Sequence, residues 1–168
     1  MTMGIFDWLF GKSPKPKGQY QGDYKMLTGY APHFTRWGSD AYESEVVRAA
    51  IGIRATHISK LRVETQGSAR RALQAKLKHA PNQFQTWSQF LYRLSTILDM
   101  HNTAFIVPVF DEYGEPSGIY TPLPNRAQIV QYGGTPYLRY EFTWGDTAAV
   151  EMEFCGVMTK YQYRSDFF

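Results

Sequence analysis

Residues 81–110 read PNQFQTWSQFLYRLSTILDMHNTAFIVPVF, and the change of period inside this stretch decides the fold. Pro81-Asn82 is a turn dipeptide that stops any preceding helix, because proline drives the residue before it out of the α region. Thr86 opens a new helix, and Gln89 three residues on completes a capping box in which each side chain meets the other's backbone N–H. Phe90, Leu91, Leu94, Ile97 and Leu98 recur at three- and four-residue spacing, so that helix has one apolar face. At His101-Asn102 the period changes, and residues 103–110, rich in β-branched and aromatic side chains, read as a strand.

Upstream, Ser39 or Asp40 can cap a helix over residues 42–61. Its buried face is expected at Val47, Ala50, Ile51, Ile58 and Leu61, with His57 near the apolar side as a core histidine, and Glu43, Glu45, Arg48 and Lys60 in solvent. Residues 62–65 read as a brief strand and Gln66-Gly67 as a turn. Residues 68–78 form a second, basic helix with Ala72, Leu73 and Leu77 inward. Downstream, residues 111–114 (DEYG) make a hairpin turn. Short strands follow at 119–121, 127–132, 137–142 and 149–155, punctuated by Pro122-Leu123-Pro124, Gly133-Gly134 and Gly145-Asp146. Helices first and an antiparallel sheet afterwards define an α+β domain with three helices.

The first 39 residues have a different character and are expected to form a hook and an extended arm, with the α+β domain spanning residues 40–168. Ile5, Phe6, Trp8, Leu9 and Phe10 crowd around a single Asp7. Two roles suit such a patch: docking on a neighbouring subunit, or a weak interfacial membrane contact. No basic residue precedes Lys12, which favours docking; folding back on the chain's own core is the plainer alternative. The patch lacks the basic start and small-residue cleavage site of a secretory signal. Residues 12–39 hold three prolines and tyrosines without period, the composition of an arm ordered where something receives it. At the other end the chain stops on Phe167-Phe168, two large apolar rings where completed domains carry polar residues, so a truncated element is expected there.

Composition narrows the function classes. The chain has 168 residues, about one domain, and 43% apolar content, enough for a core. No window approaches the roughly 18 continuous apolar residues of a membrane-spanning helix. The single Cys155 allows neither an internal disulfide nor a cysteine-based zinc site. Residues 1–98 carry 14 Lys/Arg against 6 Asp/Glu, a balance of +8, and residues 99–168 carry 4 against 9, a balance of −5. That asymmetry suits subunits meeting front to back or a charged partner, and equally a solvated helical region beside a solvated sheet region.

No catalytic constellation is present: no P-loop, no GxGxxG after a strand, no HExxH, no nucleophile elbow. The four histidines lie apart without metal-ligand spacing, and no cofactor is expected. Asp99 and His101 flank a helix end and could pair with each other or bond locally. Asp111, Glu112 and Glu115 sit where a hairpin turn favours acids for solubility. A weak hydrolase reading would join these two groups. A basic face of Arg62, Arg70, Arg71, Lys76 and Lys78 is adequate for nonspecific phosphate contact, with no finger, RRM or helix-turn-helix pattern to support more.

Several stretches, taken in order, resemble the portal proteins of long-tailed bacteriophages and their prophages. They are MGIFDWLFG at the start, SEVVRAAIGIRATHISKL, the PN turn after a small basic helix, and FLYRLSTILDMHNTAFIVPVFDEYGEPSGIYTPLPNRAQIV. The family pattern has a His-Gly-Asn-Ala-like step after the helix; here the step is His101-Asn102-Thr103-Ala104, with the glycine displaced. The resemblance implies a non-enzymatic subunit of a dodecameric ring in the virion, assembled in the host cytoplasm. By the same resemblance its partners are the terminase large subunit, capsid protein and head-completion proteins, with DNA passing through the channel and no membrane involved. Family members are considerably longer, continuing into stem, clip and crown, so this chain would be the N-terminal part of the wing region. The alternative from a different class is a small nucleic-acid-binding module using the basic face.

Overall fold

The computed structural model describes residues 25–27, 41–64, 71–110, 113, 116–142 and 145–162. Within these residues run three α-helices, α1 (Glu45–Ile58), α2 (Arg71–Leu77) and α3 (Trp87–His101). The strands are β1 (Lys25–Met26), β2 (Thr103–Phe110), β3 (Pro116–Tyr120), β4 (Arg126–Tyr132), β5 (Thr135–Glu141), β6 (Thr147–Glu151) and β7 (Gly156–Thr159). They form two antiparallel sheets rather than one, in the orders β1-β4-β5-β6 and β3-β2-β7. The fold is α+β, as the order of periodicities predicts.

The stretch from Pro81 to Phe110 folds as its sequence dictates. The Thr86 hydroxyl accepts from the Gln89 N–H at 3.3 Å while the Thr86 N–H donates to Gln89 Oε1 at 2.9 Å, closing the capping box. The Trp87 indole N–H donates to the Leu77 carbonyl at 2.7 Å, which satisfies an open carbonyl at the end of α2. Phe90, Leu94 and Ile97 bury the inner face of α3 against Ala104, Phe105 and Val107 of β2 and Ala127, Ile129, Leu138 and Tyr140 of β4 and β5. At the helix end Asn102 takes φ 63, the left-handed position a glycine would otherwise fill, and β2 begins at the next residue.

The Pro81-Asn82 turn is tied to β3. The Ile119 N–H donates to the Pro81 carbonyl at 2.8 Å, and the buried Asn82 amide donates to the Ile119 carbonyl at 2.9 Å. Asn82 Oδ1 also accepts from the Phe84 N–H at 3.0 Å, the side-chain turn expected of this residue. The approach is so close that a Cβ built on Gly118 would stand 2.7 Å from the Pro81 carbonyl oxygen. β2 and β3 pair antiparallel, while the predicted turn residues Asp111, Glu112 and Gly114 lie outside the described residues; Gly133 and Gly134, at φ 56 and 88, join β4 to β5 in a tight two-residue turn.

Four expectations are corrected. The helix expected over residues 42–61 is broken at Ser44, whose extended backbone separates a helical turn at residues 41–43 from α1. Residues 62–64 are irregular rather than strand, since no described strand lies beside them to complete a ladder. The strand expected over 149–155 ends at Glu151, where the 3₁₀ turn Met152–Phe154 redirects the chain into β7, which the sequence did not announce. Ala50, His57 and Leu61, expected inward, are exposed, because α1 meets α3 on a narrow line through Ala55 and Gly52. Lys25–Met26, inside the arm, is received by β4, and the Leu27 N–H extends the pairing to the Ile129 carbonyl at 3.0 Å.

Candidate assembly surface

The hook residues Ile5, Phe6, Trp8, Leu9 and Phe10 lie outside the described residues, as do Arg70 and the acidic turn residues Asp111, Glu112 and Glu115. Of the basic face, Lys76 and Lys78 are exposed at the end of α2, and Arg71 opens that helix. Arg62 is exposed after α1, with its guanidinium 3.6 Å from the Glu64 carboxylate.

The Asp99 carboxylate, almost entirely covered, accepts from Arg54 of α1 at 2.8 Å and from the Lys160 ammonium beyond β7 at 2.9 Å. Two cations on one carboxylate oxygen, Oδ1, clamp three separate parts of the chain. His101 is half-buried, and that burial lowers its pKa. Burial also pushes the Cys155 thiol up to about 11, so it stays protonated and unreactive at neutral pH. Among the described residues no group of His, Cys, Asp or Glu could hold a metal ion.

The prominent surface feature is apolar. On α1, Val46 is 79% and Ile53 65% exposed, and Leu61 just beyond the helix is 62% exposed. With Ala50 and His57 they fall at spacings of four, three, four and four, which places them along one side of the helix. Ala55 faces the opposite way, against α3. The helix is thus apolar on two sides, and only one is covered by described residues. An exposed apolar strip of this kind is a candidate contact surface. Sequence reading missed this because it placed one buried face on Val47, Ala50, Ile51, Ile58 and Leu61 and left Val46 and Ile53 unassigned. The mixed signal was nonetheless there: Val46 and Ile53 lie out of phase with Ile51, Ala55 and Ile58.

No protein-family model and no curated protein matches the chain. Among solved structures, a chain from the neck of an empty GTA (gene transfer agent) particle computed with C6 symmetry has the same fold, with a TM-score of 0.62 at 16% identity. The match covers 83% of this chain and 41% of that one, so the chain spans about two-fifths of the length of the solved chain. No helix among the described residues is long and apolar enough to cross a membrane.

Proposed function

We propose that this chain is the wing part of a portal-type ring subunit in a tailed-phage-like particle, serving head-tail connection and DNA packaging as a structural component rather than an enzyme. The observation that carries the reading is the shared fold with a chain of a GTA particle neck over 83% of the present sequence. The order and spacing of the portal-like stretches, from MGIFDWLFG through PLPNRAQIV, support it independently of the coordinates. A twelve-membered ring also obeys six-fold symmetry, so the dodecamer of portal proteins and the C6 symmetry of that particle are compatible.

In this reading residues 1–39 are a hook and arm, and residues 40–168 are the wing domain that sets the body of the subunit. The channel, the docking of the terminase large subunit and the seats of the capsid and head-completion proteins are shared with the rest of a longer subunit. The ring works in the virion and is built in the host cytoplasm. Its mechanism is assembly: a patch on one subunit meets a different patch on the next, and such a heterologous contact makes a ring when its rotation closes. The test is the mass and shape of the full-length product. Light scattering and negative-stain images should give a ring of about a dozen subunits; a strictly monomeric full-length product would overturn the reading.

A further inference from the structure

We infer that the outer stripe of α1 is the seat for the N-terminal hook of a second copy of this chain. The inference deepens the ring reading and rests on it for the presence of a neighbouring copy. The seat is Val46, Ala50, Ile53, His57 and Leu61, a line about 22 Å long at 1.5 Å per residue. The described residues leave it uncovered, and exposed apolar strips of this extent mark interaction sites. The occupant is written in the same sequence. Ile5, Phe6, Trp8, Leu9 and Phe10 put five large apolar side chains into six positions, and aromatic residues at this density are typical of interface anchors.

Length and charge agree with that pairing. Residues 11–24, which separate the hook from β1, can span up to about 46 Å when extended, about twice the length of the stripe. The one charge inside the hook is Asp7, and the exposed Lys60 flanks the stripe near its Leu61 end. An apolar segment with a single acid therefore meets an apolar strip with an adjacent base. Because hook and seat are different surfaces, the contact is heterologous and repeats from copy to copy, as a ring requires.

The experiment mixes two variants of the chain, both carrying Cys155→Ala. One bears Gly11→Cys, just past the hook, and the other Ala50→Cys, in the middle of the seat. Under mild oxidation the expected result is a disulfide-linked pair, formed at least five-fold faster than with Arg126→Cys, an exposed site on β4. Adding Val46→Glu and Ile53→Glu to the seat chain should return the rate to that control, while circular dichroism and thermal unfolding stay unchanged because both positions are exposed. Cross-linking no faster than the control overturns the inference, and so does a disulfide that forms only when both cysteines are in one chain. Sedimentation of the same mixture separates the two readings: copies that associate without the Gly11–Ala50 link leave the ring standing and remove the hook's seat.

Discussion

At Asn102 the backbone needs a left-handed residue and the neighbouring segment needs a partner, and one side chain answers both. With φ at 63, Asn102 ends α3. Its Oδ1 accepts from the Tyr161 N–H at 2.9 Å and its amide donates to the Tyr161 carbonyl at 3.2 Å, pairing like a short piece of strand. The two roles can be separated. Asn102→Gly keeps the backbone and loses the bonds, and is expected to destabilise the chain by about 1 kcal/mol. Asn102→Ala loses both, and the left-handed penalty should bring the loss to about 2–3 kcal/mol. Urea denaturation of the two variants reads the difference; equal losses would mean that the backbone position carries no strain. Gly118→Ala belongs to the same class, since its Cβ would meet backbone atoms of the Pro81-Asn82 turn that cannot swing aside. At His101 the sign runs through burial. The folded protein holds the ring neutral below the usual value of 6.5, so the unfolded chain binds the proton first as pH falls. The stability that His101 contributes is intact above about pH 6.5 and is lost as pH drops through its lowered folded value. His101→Gln should flatten that part of the pH–stability curve, measured by denaturation at about pH 7.5 and about pH 5.5.

Elements differ in how openly their sequence declares them. α3 and β2 were legible because their signals are local: a capping box, an apolar face of five residues, then a run of eight strand-forming positions. The Gly133-Gly134 turn was legible for the same reason. β7 was not, because GVMT is four residues without alternation and becomes a strand only when Thr103–Ile106 offers it a ladder. The 3₁₀ turn that precedes it was hidden inside an apolar run that reads equally well as continued strand. α1 was legible as a helix but not as a helix with two apolar sides, since a periodicity cannot say which partner covers which side. The clamp at Asp99 was invisible for a related reason: its cations lie 45 and 61 residues away in sequence. That clamp predicts an element-level effect. Asp99→Ala should cost about 1–3 kcal/mol, moderated by the partial exposure of Arg54 and Lys160. It should also speed amide hydrogen exchange in α1 and in residues 156–162 together; a change confined to α3 would show that the carboxylate does not join them.

Over the whole molecule, the sequence's two charge halves acquire a structural meaning. All three described helices fall almost entirely within residues 1–98, which carry the +8 balance, and β2–β7 fall within residues 99–168, which carry the −5. The strands β2–β7 themselves balance, Arg126 and Arg139 against Glu141 and Glu151, so the acidic surplus of residues 99–168 lies outside them. A subunit whose first part is basic and whose second part is acidic can stack against copies of itself with unlike sides meeting, whereas a two-fold contact would set like against like. Apolar and charged contacts respond to salt in opposite ways, which allows them to be told apart. If charge steers the contact and apolar surface holds it, raising salt from about 50 mM to about 500 mM should slow association of the full-length product several-fold. For the proposed ring, dissociation should change little over the same range. Stopped-flow light scattering measures the first and dilution followed by sedimentation the second. An association rate indifferent to salt would mean that the charge split is only a solvated surface and that the apolar stripe of α1 works unaided. A ring that falls apart at high salt would mean the reverse, with charge as the holding force.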